Sequence, residues 1–356
     1  MSVSPLPPYA YRCVDQSVLI GPFRRLWAAW FMKVIPFRVP ANYVTLLASA
    51  FMWVLLGCAV AGAPLAIEMR ALLFAALLHF YLVYDHLDGM QAKRTGTSSA
   101  LGEYLDHSLD VYHGAIAVVA IFALVGFDQP VLVLAMLGCS HLAFAATMVE
   151  EKERGELFFG PVGSLEGVLL FILFCLSWML APVRAWWLAP LIGSWPAYYL
   201  LIGVGSMGSI VAVVDCLRRI GRVPMAFVGF AAGHALLIAG LLYAHVPLWS
   251  AVAALMLHGG DYVGRVIGSH LLRTAHPPAD FLAPVTALGL VFIGESKDGL
   301  ISVLLAYLAL RTVWGVARIL FPLRVAWLWS NPLPPDQICA GLLKPSRPPH
   351  GSNTRM

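Results

Sequence analysis

The stretch "YDHLDGMQAKRTGTSSALGEYLDHSLD", residues 84–110, gathers Asp85, Asp88, Glu103, Asp106 and Asp110 into one short segment of an otherwise apolar chain. Of its 356 residues 60% are hydrophobic and 12% charged. Mean hydropathy is +0.79, outside the range of soluble globular domains. The chain reads as an all-α polytopic membrane protein, and in that solvent a cluster of carboxylates is expensive.

Working outward from the stretch, apolar runs of about 20 residues, each long enough to cross a hydrocarbon core of roughly 30 Å as a helix, recur about ten times. They fall near 42–62, 66–88, 100–126, 129–149, 164–182, 196–217, 224–244, 248–272, 282–296 and 299–320. Continuous apolar runs replace the alternation that a transmembrane barrel strand requires, which excludes a barrel. Most of the 23 Lys and Arg fall on one side if both chain ends are cytoplasmic, as the positive-inside rule asks. The net charge of +4 is then accounted for by topology and lipid headgroups, with no nucleic-acid partner. "GPFRRLWAAWFMKVIPF", residues 21–37, is too charged to span and reads as a helix lying in the membrane interface. Residues 1–330 read as a single integral-membrane catalytic domain, and 331–356, rich in Pro, Ser and Arg, as a flexible cytoplasmic tail. No cleavable signal peptide is expected. The six cysteines form no C-x-x-C pair and read as packing residues.

Helical spacing organises the acidic residues. Asp85 and Asp88 share a face at the end of the second span, while Glu103, Asp106, His107 and Asp110 open the third. Two antiparallel helices joined by "GMQAKRTGTSSAL" would turn both faces toward one space just inside the membrane. Carboxylates brought together there are tolerated when paired or bound to cations. Hard oxygen ligands favour Mg²⁺ or Mn²⁺, and two ions sharing carboxylates commonly grip phosphate oxygens. Gly89 and Gly102 lack side chains where a bulky ligand would approach. The bland alternative, a solvated charged loop, fits a single Asp pair better than it fits the whole constellation.

The residues Asp85-x-x-Asp88-Gly89-x-x-Ala92-Lys93, eight residues, Gly102-x-x-x-Asp106-x-x-x-Asp110 resemble the signature of the CDP-alcohol phosphotransferase family, D-x-x-D-G-x-x-A-R, eight residues, G-x-x-x-D-x-x-x-D. Every spacing matches, and Lys93 stands where the family has Arg. The resemblance implies a six-helix core, a metal pair at the cytoplasmic face, and transfer of a phosphoalcohol or phosphatidyl group from a CDP-linked donor with release of CMP. It also implies that Asp85, Asp88 and Asp106 are metal ligands and Asp110 a further ligand or a base. Gly89, Ala92, Lys93 and Gly102 would lie along the CDP and its phosphates, with Arg94 placed to make up for the guanidinium that Lys93 lacks.

Within the family, "DGMQAKRTGTSSALGEYLDHSLD" is similar to the eukaryotic-type choline and ethanolamine phosphotransferases. "YRCVDQSVL" and "VPANYVTLLAS" resemble that branch's entry to the first span, with Asn42 and Thr45 matching. "VEEKERGELFFGPVGSLEG" resembles another of its segments, with two extra residues before Glu166. An i, i+4 Glu103–His107 pair would let the carboxylate orient the imidazole as acid/base. The expected reaction is attack by diacylglycerol, or an ether-linked analogue, on CDP-choline or CDP-ethanolamine, with Mg²⁺ (or Mn²⁺) as two ions; family analogy implies a homodimer. The membrane is expected to be the bacterial inner membrane or the endoplasmic reticulum. The alternatives are a CDP-diacylglycerol-dependent transfer to inositol, serine or glycerol phosphate, and a cation-binding transporter. Asp261–Arg265 and Asp215–Arg218 or Arg219 read as structural ion pairs.

Overall fold

The computed structural model describes residues 11–62, 65–126, 129–293 and 297–323; the expected tail, 331–356, lies outside them. The chain starts on a strand β1 (Cys13–Asp15), then a helical run made of α1 (Ile20–Pro22), a π-turn (Phe23–Ala28) and α2 (Ala29–Met32). This run takes up most of the expected interfacial helix, 21–37, but ends at Met32, and leaves Leu26, Trp27 and Trp30 exposed, as an amphipathic segment against lipid would. Helices α3 (Ala41–Val60), α4 (Ile67–Thr95), α5 (Ala100–Val125) and α6 (Pro130–Arg154) follow, then β2 (Leu157–Phe159) and α7 (Ser164–Trp178). Next come α8 (Ala181–Leu188), a small hairpin of β3 (Pro190–Ile192) and β4 (Trp195–Pro196), α9 (Tyr199–Ile220), α10 (Met225–Tyr243), α11 (Leu248–Leu271), α12 (Leu282–Gly289) and α13 (Asp298–Leu323).

Among the described residues seven helices, α3, α4, α5, α6, α9, α10 and α13, are long and apolar enough to cross a membrane. The protein is an all-α integral membrane protein. Three of the ten expected spans differ in detail. The run 164–182 breaks after Trp178, and α8 leaves at 111°, because Pro182 in its first turn has no N–H to continue the helix. The run 248–272 is a 24-residue helix whose Asp261 and Arg265 interrupt its apolar face. The described residues of the run 282–296 form α12 and a 3₁₀ turn to Phe292, about 16 Å at 1.5 Å per residue, half of a hydrocarbon core.

That short helix is reached by a non-helical segment, 272–281, which runs to the middle of α10: a Cβ on Gly233 would lie 3.2 Å from the Asp280 carbonyl oxygen. Irregular backbone at such depth needs its polar groups satisfied by protein. Lys152 Nζ donates to the Thr274 carbonyl at 2.6 Å, Arg265 Nη1 to the Pro278 carbonyl at 2.8 Å, and Leu282 N to Asp280 Oδ1 at 3.0 Å.

Around α4 and α5 the core is built by α3, which packs on both, by α7 against α4, and by α11 against α5, α6 and α13. The expected pairs form: Arg265 donates to Asp261 at 2.7 Å, and Arg218 lies 3.6 Å from Asp215. Arg311 on α13 adds a second guanidinium to Asp261 at 2.9 Å. Three buried histidines bridge α6, α10 and α11: His141 Nδ1 lies 3.3 Å from His234 Nε2, and His234 Nδ1 lies 3.0 Å from His258 Nδ1. His258 Nε2 reaches the Asp280 carbonyl at 3.4 Å. The described cysteines, Cys13, Cys58, Cys139, Cys175 and Cys216, are free.

Candidate active site

The hairpin of α4 and α5 sets the site. α4 runs seven residues beyond the expected end of its span, so Gly89, Ala92, Lys93 and Arg94 lie on the helix, not in a connecting loop. It stops at Gly96, whose φ of +66° suits glycine, and which donates back to Ala92 and Lys93. Ser99 then caps α5 by accepting from Gly102 N at 3.1 Å. The turn between the helices is therefore short, and the two acidic faces meet.

Asp85, Asp106 and Asp110 each offer a carboxylate oxygen, all within 4.8 Å of one another. Asp110 Oδ1 is steadied by the Tyr81 hydroxyl at 3.1 Å and by His113 Nδ1 at 3.3 Å. His113 Nε2 in turn lies 2.9 Å from Ser49 Oγ on α3, a chain of supports of the kind that orients metal ligands. Asp88 is buried beside this trio and is engaged by protein: Thr45 Oγ1 donates to its Oδ2 at 2.6 Å, and the Gly89 amide donates to Oδ1. The three-carboxylate, all-oxygen donor set fits a divalent cation of the hard class.

These residues open onto a cavity of about 340 Å³, lined also by Asn42, Gly89, Ala92, Lys93, Gly102 and His107. Gly89 faces open space, whereas a Cβ on Gly102 would come within 3.2 Å of Asn42 Oδ1. The bare backbone at Gly89 thus faces the cavity and that at Gly102 lets α5 close on α3. Arg94 does not line the cavity. Its guanidinium donates to the carbonyls of Ile35 at 2.8 Å and Met32 at 3.3 Å and lies over Phe37, which ties α4 to the interfacial run. Gln91, fully buried, does the same for the next loop, donating to the Val39 carbonyl at 2.6 Å and the Pro36 carbonyl at 3.2 Å.

Glu103 and His107 stand on the cavity wall as the i, i+4 spacing requires. His107 Nε2 is 3.8 Å from Asp106 Oδ2, and Nδ1 is 3.9 Å from Glu151 Oε2 on α6. Glu151 is the neighbour that spacing within residues 84–110 does not reveal; "VEEKERGE" gives only an acidic helix end.

The N-terminal segment closes one side. β1 pairs in parallel with β2, Cys13 opposite Leu157, and the ring of Tyr11 lies 6.1 Å from that of His107. Glu166 fastens this strap: it accepts from Ser17 Oγ at 2.5 Å, Leu19 N at 3.1 Å and, at the start of α7, Gly163 N at 2.8 Å. Despite the two extra residues before it, Glu166 therefore sits at the cavity margin as a clasp.

Residues 38–195 match the family model described as CDP-alcohol phosphatidyltransferase. A CDP-diacylglycerol–serine O-phosphatidyltransferase of Encephalitozoon cuniculi is 30% identical over 171 residues, 47% of this chain. Choline/ethanolaminephosphotransferase 1 of Arabidopsis thaliana is 37% identical over 112 residues, and cholinephosphotransferase 1 of Homo sapiens 34% identical over 109, each 30% of this chain. The matches take in 44%, 29% and 27% of those relatives' lengths, so the chain spans less than half of each.

Proposed function

We propose that this chain, whose residues 38–195 match the CDP-alcohol phosphatidyltransferase family model, transfers phosphocholine or phosphoethanolamine from the CDP-alcohol to diacylglycerol or an ether-linked analogue, releasing CMP. The observation that carries this reading is the placement of His107 beside the aspartate trio: an imidazole nitrogen 3.8 Å from Asp106, on the wall of the same cavity of about 340 Å³.

Asp85, Asp106 and Asp110 would hold Mg²⁺ or Mn²⁺, as two ions, with Asp88 joining them. A bound divalent ion supplies neutralisation of the pyrophosphate oxygens and of the departing CMP. Lys93 contacts the donor phosphates from the rim, and Gly89, Ala92, Gly102 and Asn42 shape the floor on which the nucleotide lies. His107 accepts the proton of the acceptor hydroxyl at Nε2, with Glu103 orienting the ring, while the lipid arrives from the bilayer. Arg94 acts indirectly, by holding the helix that carries Lys93. The distribution of basic residues supports a cavity at the cytoplasmic face, of a bacterial inner membrane or the endoplasmic reticulum, and family likeness supports a homodimer.

A second reading is CDP-diacylglycerol-dependent transfer to a soluble alcohol such as serine. It is favoured by the serine-transferring relative, whose match covers 47% of this chain against 30% for the Arabidopsis and human choline-type relatives. CMP release by the protein in nanodiscs, with each donor and acceptor pair separately, separates the two. Metal-dependent CMP from CDP-choline or CDP-ethanolamine with diacylglycerol, falling by roughly a hundredfold or more in Asp106→Asn, supports the first. CMP only from CDP-diacylglycerol with a soluble alcohol replaces it by the second.

A further inference from the structure

Beside the aspartate trio, Glu103, His107 and Glu151 form another group whose ligand atoms all lie within 4.8 Å of one another. They are 7%, 6% and 2% exposed. Two of their atoms are unsatisfied: His107 Nδ1 and Glu151 Oε2 face each other at 3.9 Å, and among the described residues neither has a hydrogen-bond partner. That gap is too long for a hydrogen bond. Two atoms that ligate one ion at about 2.0–2.2 Å lie roughly 3.0–3.6 Å apart in octahedral or tetrahedral geometry, so a small closure would bring both onto a cation.

The donor chemistry separates this group from the trio. One imidazole and two carboxylates suit Zn²⁺ and its neighbours, whereas Mg²⁺ prefers oxygen and gives up water reluctantly. We propose that Glu103, His107 and Glu151 form a second cation site, selective for ions of the Zn²⁺ class, whose occupation switches the transferase off. The binding rests on the residues alone; the switching rests on the role given to His107 above. An ion on Nδ1 takes that lone pair and leaves the ring hydrogen on Nε2. The nitrogen facing Asp106 then carries a hydrogen and cannot accept the proton of an attacking hydroxyl.

The test uses the full chain in nanodiscs under millimolar Mg²⁺, titrated with Zn²⁺, reading retained zinc by mass spectrometry after buffer exchange alongside CMP release. Wild type should retain one zinc per chain and lose at least about tenfold in turnover as the zinc is taken up. Glu151→Gln removes one ligand and should weaken zinc retention by about tenfold or more, with its remaining turnover no longer falling when zinc is added. Asp110→Asn should still retain zinc. Equal retention in wild type and Glu151→Gln overturns the site, as does zinc lost in Asp110→Asn but kept in Glu151→Gln. Glu103→Gln is the second variant if Glu151→Gln does not elute as a folded, monodisperse protein. Should no donor and acceptor pair give turnover, the functional reading fails while the zinc count still decides the site.

Discussion

At Lys93 and Arg94 one residue of helix decides two fates. Successive side chains on an α-helix diverge by about 100°, so when Lys93 faces the cavity Arg94 must point elsewhere, and it meets the carbonyls of Met32 and Ile35. Lys93→Ala is therefore expected to raise the KM for the CDP donor several-fold with little change in thermal stability. Arg94→Ala should instead lower the melting midpoint and loosen the interfacial run; steady-state kinetics and a melting series on both variants check the split. The sequence made the aspartates readable because their spacings match a helical period and the order of a long gapped signature. Arg94 misled because adjacency in the chain stands for nothing on a helix. Glu151 was hidden for the opposite reason: it reaches His107 from α6, and no period within one helix reports a neighbour on another.

Among the elements, the α4–α5 hairpin is stiffer than a loop between spans would be, since α4 remains helical through Thr95. Sequence alone suggested a longer connection, because Gly89 and the polar residues after it look like a helix end; propensity gave way to the packing of Arg94 against the interfacial run and of Gln91 against the loop that follows it. The strap of β1 and β2 is the least secure element near the site: it is a single pair of three-residue strands, marginal without further support. Its support is Glu166. Glu166→Ala should leave the helices intact while amides of residues 13–19 and 157–159 exchange at least about tenfold faster, the loss of more than one charge-assisted hydrogen bond. Hydrogen exchange read by mass spectrometry gives the answer, and unchanged protection would mean that the strap is held by something other than the clasp.

On the scale of the whole molecule, the ion pairs separate by depth. Asp261, 2% exposed on its side chain, is gripped by Arg265 and Arg311, whereas Arg222, 65% exposed, meets Glu153 at the surface. Removing one partner of a buried pair typically costs about 3–5 kcal/mol, and an exposed pair contributes about 0–1 kcal/mol. Asp261→Ala, which strips Arg265 and Arg311 of their shared carboxylate, should thus destabilise the protein strongly and Arg222→Ala hardly at all, compared by denaturation in one detergent. The count of spans was legible where apolar length ran unbroken, in α3 to α6, α9, α10 and α13. It was not legible at α7–α8 or α12, because hydropathy sums composition over a window and does not register a proline that turns the chain or a backbone that enters the bundle unwound. The row of His141, His234 and His258 has, besides its members, a direction. A carbonyl can only receive, so with one hydrogen per ring His258 must give its hydrogen to Asp280 from Nε2, His234 must give its own to His258 from Nδ1, and His141 to His234 likewise. One backbone oxygen on the unwound segment thereby dictates the tautomer of a ring two helices away, and no ring can turn its hydrogen around unless the others turn too. The two halves of the chain are joined there by an arrow that points one way.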